Sequence, residues 1–335
     1  MTTILQVKNL VTRFYTFDGV VHALNGVSFD LKKGQILGIV GESGSGKSVT
    51  MMSLLRLLPD PPAKIEHGKV LFADNGSKID LLKLSKEQMR RIRGGKIGFI
   101  FQDALTALNP VMTIGQQISE SLVEHVSLTR AQARKRTLEL LDRVGIPGAR
   151  QRYGNYPHQF SGGMRQRVMI AVAIACNPKI VIADEPTTAL DVTVQAQIID
   201  LTKKLQEELN IAVIWITHDL GVVAGMADQV LVMYAGSPVE IAPVDDLYEH
   251  PQHPYTIGLL KALPVMGNVV SKRLVSIEGS PPDLLEQPRH CQFTWRCPHV
   301  FERCWQEIPP LRDIGQQHYA ACFYDIDNGR PREHG

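Results

Sequence analysis

The chain of 335 residues has no uninterrupted apolar stretch near the ~18 residues that a bilayer-spanning helix needs; its longest, Val168 to Cys176, has the length of a helix in a protein core. No transmembrane segment is expected. The first residues, Met1 to Val11, lack an apolar core and carry Lys8 within a strand-like alternation, so they do not read as a secretion signal. Charge of one sign is missing too. Thirty-six Lys and Arg against 34 Asp and Glu leave a formal net charge of +2, and no basic field argues for nucleic acid. There is no internal repeat, low-complexity tract or sustained heptad, which excludes solenoids and long coiled coils. Cysteine is scarce and uneven. Of five, Cys176 stands alone in an apolar helix, where a small buried hydrophobe is expected. The other four, Cys291, Cys297, Cys304 and Cys322, crowd the end of the chain. In a reducing compartment such a cluster points to metal before disulfides.

What is present is a strong alternation of strand and helix patterns. The chain is 44% hydrophobic, enough for two lobes and an appendage. Residues 3 to 40 read as strands, with apolar residues mostly at every second position (Leu5, Val7, Leu10; Val27, Phe29, Leu31) and turns at Asp18-Gly19 and Lys33-Gly34. A short buried run, Ile36 to Val40, leads into a glycine-rich loop and a helix expected over Ser48 to Leu58, stopped by Pro59, Pro61 and Pro62. A second strand group spans 64 to 101, with a polar helix around Ser85 to Arg93. From 113 to 145 apolar residues recur at helical spacing, and Thr129 opens a capping pattern. Then follow a helix from Ser161 to Asn177, a strand at 179–183, a helix at 192–209, a strand at 211–217, a helix at 220–227 and a strand at 229–234. This order implies a parallel sheet covered on both faces. Beyond about residue 240 the composition turns to Pro and His, which marks a separate C-terminal segment.

Gly41-Glu42-Ser43-Gly44-Ser45-Gly46-Lys47-Ser48 satisfies GxxxxGK[ST] at every fixed position, between a strand and a helix. Glycines let backbone N–H groups turn inward around phosphate oxygens, and the helix start adds a favourable dipole. Lys47 is placed to neutralise β- and γ-phosphate charge and the Ser48 hydroxyl to ligate Mg²⁺. A second apolar run, Lys179 to Ala183, ends in Asp184 and Glu185. In a doubly wound sheet, ligands sit at the carboxyl ends of strands. Asp184 is therefore the candidate to hold Mg²⁺, directly or through water, and Glu185 to polarise an attacking water. Gln102 and His218 also follow strands; Gln102 is a candidate for metal or water and His218 for the γ-phosphate.

Phe160-Ser161-Gly162-Gly163-Met164, about 115 residues after the phosphate loop, is by itself a weak Ser-Gly-Gly helix start. With its neighbours it resembles the signature motif of ABC ATPases, departing only at Met164, where many members carry Gln. The order of motifs is similar to that family's: phosphate loop (Walker A) at 41–48, Q-loop at Gln102, signature at 161–163, Walker B at 180–185, D-loop at Ala189-Leu190-Asp191 and switch His218. The resemblance runs from residue 3 to about 265. It implies an α/β fold, a P-loop NTPase of the ABC nucleotide-binding type. The division would be an ATP-binding core over 1–102 and 161–240 that opens with antiparallel strands, a helical subdomain over 103–160, and a cysteine-rich extension over 241–335. It further implies that two chains pack head to tail, with ATP held between the Walker A of one and Ser161, Gly162 and Gly163 of the other. Phe14 would stack on adenine, with Tyr15 beside it as the alternative, and Asp191 would lie at the nucleotide.

Val232-Met233-Tyr234-Ala235-Gly236, and then His253-Pro254-Tyr255-Thr256 with Leu259, Leu260 and Pro264, look like the ATPases of dipeptide/oligopeptide permeases. That resemblance implies ATP and Mg²⁺ as cofactors and a peripheral location on the cytoplasmic face of the cell membrane. It implies as partners a second ABC ATPase (identical or a paralogue), two membrane permeases and an extracytoplasmic solute-binding protein, with no nucleic acid. In some members the tail cysteines hold a [4Fe–4S] cluster. Four thiolates suit that cluster or tetrahedral zinc; the spacings here are wider than a C-x2-C knuckle, which favours iron over zinc or free thiols. Nickel, glutathione and oligosaccharides are alternative cargoes within this architecture. A non-transport ABC ATPase, or a redox sensor built on the tail, are the rival classes.

Overall fold

A computed structural model describes residues 2–74, 76–188, 190–263 and 277–332. Ala189 of the D-loop and Pro264 lie outside the described residues. In chain order the elements are β1 (Thr3–Thr16), β2 (Gly19–Lys32), β3 (Ile36–Val40), α1 (Lys47–Leu54), β4 (Ala63–Asp74), β5 (Ser77–Asp80), α2 (Lys86–Ile92), β6 (Ile97–Ile100), α3 (Ala104–Ala107), α4 (Ile114–Val126), α5 (Arg130–Arg143), α6 (Ala149–Arg152) and α7 (Gly162–Ile174). There follow β7 (Ile180–Asp184), α8 (Val192–Leu209), β8 (Ala212–Ile216), α9 (Leu220–Ala224), β9 (Gln229–Tyr234), β10 (Ser237–Pro243), α10 (Val244–Glu249), α11 (Pro254–Lys261), β11 (Arg312–Gly315), β12 (His318–Ala320), β13 (Tyr324–Asp325) and β14 (Arg330–Pro331). No helix among the described residues is long and apolar enough to cross a membrane.

The chain forms two compact units. The first comprises Met1–Ile4, Leu31–Ile36 and Lys83–Ile216. Its strands β8, β7 and β6 are parallel neighbours in that order, with Ile180 opposite Ala212 and Ile97 opposite Ile180. Every residue of β7 and β8 is buried, so the strands read as unbroken apolar runs rather than alternations. Helix α7 is apolar on most sides and buried along most of its length. It lies so close to β6 that a Cβ on Gly98 would stand 2.2 Å from the Ala173 carbonyl oxygen. Helix α4 turns Ile114, Ile118 and Leu122 inward at four-residue spacing, and α5 buries Ala133, Leu140 and Leu141. Capping boxes start α2 at Ser85, α4 at Thr113 and α5 at Thr129.

The second unit comprises Leu5–Asp30, Leu37–Leu82 and Thr217–Gly335. The antiparallel strands run β2-β1-β4-β5. A further run is ordered β11-β12-β10-β9-β3, in which β3 and β9 are parallel and the rest antiparallel. The expected parallel pattern therefore holds for β3/β9 and for β6 to β8, while β10 folds back on β9 through Ala235-Gly236 and receives β12 from the C-terminal segment. What fastens that segment is a buried carboxylate. Glu240 on β10 is fully buried and accepts backbone N–H bonds from Gln252 (2.6 Å) and His253 (3.0 Å), and its Oε1 is 2.7 Å from His318 Nε2 on β12. A buried carboxylate is tolerable only when its oxygens are so satisfied. Helix α1 ends at Leu54, four residues before the expected Leu58. Arg56 adopts a left-handed conformation (φ 51°), which the helix cannot continue through.

Candidate functional site

In the second unit, β3 delivers the chain into the phosphate loop. Gly41 (φ 151°) has no room for a side chain: a Cβ there would lie 2.2 Å from the Met233 carbonyl oxygen and 2.7 Å from Ser45 Oγ. Gly46 (φ 97°) caps α1 without a side-chain acceptor for the first-turn amides, unlike the Ser and Thr caps of the first unit. Lys47 is buried, and its Nζ donates to the carbonyls of Gly41 (2.8 Å) and Glu42 (2.9 Å), so the cation lies inside the loop's own curve. Ser43 and Gly44 form the exposed rim, and Ser48 is half-buried. Among the described residues Ser45 Oγ is buried with no hydrogen-bond partner, which costs about 1–3 kcal/mol. An anion seated on the loop is the group that would satisfy it.

The second unit also holds three other sequence-predicted residues, His218, Phe14 and Tyr15. Thr217 donates its backbone N–H to the Ile39 carbonyl of β3 (3.1 Å) and accepts from Asp219 N–H at Oγ1 (3.0 Å); His218 between them is exposed. On β1, Tyr15 Oη is hydrogen-bonded to Glu66, beside Arg13, and that bond, ahead of desolvation, raises the phenol above its usual range. Strand alternation turns Phe14 the other way, onto the face where Thr12 Oγ1 meets Ser53 Oγ of α1 at 3.0 Å. Phe14 is half-buried and Tyr15 is 47% exposed.

In the first unit, β7 ends at Asp184, which is 4% exposed, and Glu185 follows in a left-handed conformation (φ 45°). A non-glycine residue held there carries strain on the order of 1–3 kcal/mol. Its N–H donates to the Ile216 carbonyl (3.0 Å), and its Oε2 accepts from Thr188 Oγ1 (2.9 Å) and Gln102 Nε2 (3.4 Å). Gln102 and Glu185, expected on separate strand ends, are thus brought into contact. Ser161 caps α7, accepting from Met164 N–H at 3.4 Å, and leaves Gly162 on the surface. Gly163 packs on Val194 of α8, where a Cβ would stand 2.7 Å away. Asp191 caps α8 through Val194 N–H (2.9 Å), and Leu190 lies against Gly162.

The four tail cysteines line one small cavity, of about 10 Å³, with His253, Phe293 and Phe323 among its other walls. Burial pushes the Cys291 and Cys297 thiols up to about 11 and Cys322 up to about 12. Among the described residues there is no group of three or more His, Cys, Asp or Glu arranged to hold a metal ion. Cys291, Cys297 and Cys322 are thereby held as thiols around a space no larger than a water. The donor set still fits a four-thiolate group, provided protons leave and the walls part. Cys176, past the end of α7, is half-buried, and its Sγ donates to the Ser121 carbonyl (3.4 Å).

Sequence reading missed Glu42, Tyr255 and Arg296. Glu42 occupies a variable position of the phosphate-loop pattern, and His-Pro-Tyr read as a subfamily mark or turn. In the structure His253 Nδ1 accepts from Tyr255 N–H (3.1 Å) at the start of α11, burial holding its pKa down at about 3 so that the ring is neutral. Tyr255 Oη then accepts from Glu42 N–H in the loop (2.8 Å).

Fold and motif order define an ATP-binding cassette. Residues 24–188 match the ABC transporter family, and residues 239–304 match the oligopeptide/dipeptide transporter C-terminal region. The chain is 48% identical to the oligopeptide transport ATP-binding protein OppD of Bacillus subtilis (strain 168) over 96% of its length and 89% of that protein's. It is 49% identical to the dipeptide transport ATP-binding protein DppD of the same organism, over 96% and 95% of the two chains. A dimeric structure of a post-hydrolysis state of the ATP-binding cassette MJ0796, bound to ADP and Pi, is similar at TM-score 0.63 and 30% identity, covering 72% of this chain and 99% of that one. The chain belongs to the ABC transporter family, in the branch that carries the oligopeptide/dipeptide transporter C-terminal region, and it is an ATPase of that type.

Replacing Ser45 with Ala removes the orphaned hydroxyl. The nucleotide-free protein should gain up to about 1 kcal/mol of stability, and the rise in melting temperature produced by Mg-ATP should shrink. Differential scanning fluorimetry with and without Mg-ATP checks both signs.

Proposed function

We propose that this ATPase drives an importer of dipeptides or oligopeptides and that it works as half of a head-to-tail ATPase pair. The observation that carries the cargo class is the match of residues 239–304 to the oligopeptide/dipeptide transporter C-terminal region, together with likeness over nearly the whole chain to ATP-binding proteins named for peptide transport. The partners of this reading are a second ATPase subunit, two membrane permeases and an extracytoplasmic solute-binding protein, with the chain peripheral on the cytoplasmic face of the membrane. The domain division we adopt is a core of 1–102 and 161–240, a helical subdomain of 103–160 and an extension from 241. The four helices between Ala104 and Arg152, with no strand among them, support it.

In the proposed mechanism, the amides of Gly41, Ser43, Gly44, Ser45 and Gly46 and the Lys47 ammonium hold the nucleotide's phosphates, while Ser48, Asp184 and Gln102 attend to Mg²⁺. Glu185 takes the proton of the attacking water. Its contact with Gln102 and Thr188 supports this role, since it fixes the carboxylate's direction before any substrate arrives. His218 reports on the γ-phosphate. Ser161, Gly162 and Gly163, with Asp191, complete the partner's site, and the exposure of Ser161 and Gly162 supports that. Phe14 stacks on adenine. The shared face with the α1 contact favours it over Tyr15, whose hydroxyl is occupied by Glu66.

For the tail we propose a [4Fe–4S] cluster held by Cys291, Cys297, Cys304 and Cys322. Four thiols lining one small space support it, and zinc remains the alternative. When bound, such a group supplies a four-point crosslink to a segment too small to fold alone.

Affinity purification of the tagged chain from gently solubilised native membranes tests the importer reading. Two multispanning permeases, a second ATPase and a solute-binding protein should co-purify; ribosomal or DNA-repair proteins without a membrane subunit would overturn it. Glu185→Gln should bind ATP and accumulate a closed dimer by size-exclusion chromatography, with hydrolysis nearly abolished, whereas normal turnover would refute the base. Anaerobically purified protein should carry iron and sulfide with an absorption band near ~400 nm, and zinc in place of iron sinks the cluster.

A further inference from the structure

An acidic side chain in a phosphate loop is electrostatically misplaced, because it repels the triphosphate the loop attracts. Glu42 is such a residue, and its charge is met from the far end of the chain. Arg296 Nη1 donates to Glu42 Oε2 at 2.7 Å and Nη2 to Oε1 at 2.9 Å, a two-pronged ion pair across 254 positions of sequence. The Arg296 side chain is only 3% exposed. Its fork is held rigid by what surrounds it. Nε donates to the Glu278 carbonyl (3.0 Å) and Nη1 to Tyr234 Oη (3.3 Å). The guanidinium also lies over the rings of Tyr234 and Phe293, at 5.7 and 5.8 Å. A lysine ammonium could not reproduce this planar, two-bond grip.

The pair reaches the loop's working atoms in one step. Glu42 gives its carbonyl to Lys47 Nζ and its N–H to Tyr255 Oη, so both its backbone groups and its carboxylate are spoken for. At the other end, Arg296 directly precedes Cys297 and follows Phe293, which packs edge-on against Tyr234 and Tyr255 at 5.2 and 5.5 Å. Pulling the four-cysteine segment out of place would withdraw the cation from Glu42.

We propose that Arg296 is a positioning residue for the nucleotide loop: it neutralises and pins Glu42, and so couples the loop's affinity for a nucleoside triphosphate to the integrity of the four-cysteine segment. The proposal rests on the reading that residues 41–48 hold ATP, and the test separates the two. Equilibrium binding of a fluorescent mant-ATP with Mg²⁺ is measured on the full chain, folded state being checked by circular dichroism. Wild type should bind and Lys47→Ala should not; if Lys47→Ala binds like wild type, the loop assignment fails and this inference with it. Arg296→Ala leaves Glu42 unpaired beside the phosphates and should weaken binding about tenfold. Glu42→Gln removes the anion and should cost about threefold or less. The decisive variant is Arg296→Ala with Glu42→Gln, which should recover to the level of Glu42→Gln alone, because the charge Arg296 neutralises is gone. A purely structural role for Arg296 makes the double variant as weak as Arg296→Ala, and that result, or Arg296→Ala binding within about twofold of wild type, overturns the proposal. Cys297→Ser should weaken binding in the wild-type background and change it little in the Glu42→Gln background; equal losses in both would disprove the coupling.

Discussion

A loop that binds phosphate through backbone amides has few side chains of its own to hold those amides in place. Its shape must come from what lies outside it, and most of the second unit is arranged around that constraint. Gly41 passes so close to the Met233 carbonyl that only glycine fits. Lys47 ties the loop's two ends through the carbonyls of Gly41 and Glu42. Tyr255 and Arg296 reach the loop from the C-terminal segment. Each tie acts on backbone or on the acidic side chain, and together they leave Ser45 Oγ buried without a hydrogen-bond partner among the described residues.

The first unit solves a different problem. Three strands buried along nearly their whole length, β6 to β8, must end where polar groups are needed, and β7 ends in two adjacent carboxylates. Asp184 completes the strand, buried, while Glu185 is turned into a left-handed conformation that no strand continues and is steadied by Thr188 and Gln102. The strain is local, and the packing of β7 against its neighbours keeps it in place. The glycines of the signature segment serve close packing as well as exposure, since Gly163 is where α7 meets Val194 of α8.

The C-terminal segment buries Leu247, Tyr255, Phe293 and Phe323 among its described residues. Beside that packing and the β10–β12 pairing, polar contacts tie it down: Glu240 with Gln252, His253 and His318, and Arg296 with Glu42. Removing Glu42 would leave the Arg296 guanidinium, 3% exposed, buried without its anion, whereas a surface pair would cost little. The four cysteines line one small space and present a donor set suited to a four-thiolate group.

Much was legible in the residues themselves. The phosphate-loop pattern, the acidic strand end and the extent of α8 follow from spacing and periodicity, which are local and survive without a fold, whereas the role of Ser161, Gly162 and Gly163 came from resemblance to a family. The end of α1 did not follow, because Arg56 takes a left-handed turn before the prolines are reached. Neither did β10 to β12, whose pairing joins Glu240 to Ala320, nor the meeting of Gln102 with Glu185. The grip of Arg296 on Glu42 was the least visible, since neither residue belongs to a pattern and 254 positions separate them. The sequence by itself determined which local elements form and which chemistry they carry, since backbone preference and residue type act over a few positions. Only the tertiary structure decided which distant charges meet, because a buried ion pair exists through the folding of everything between its two members.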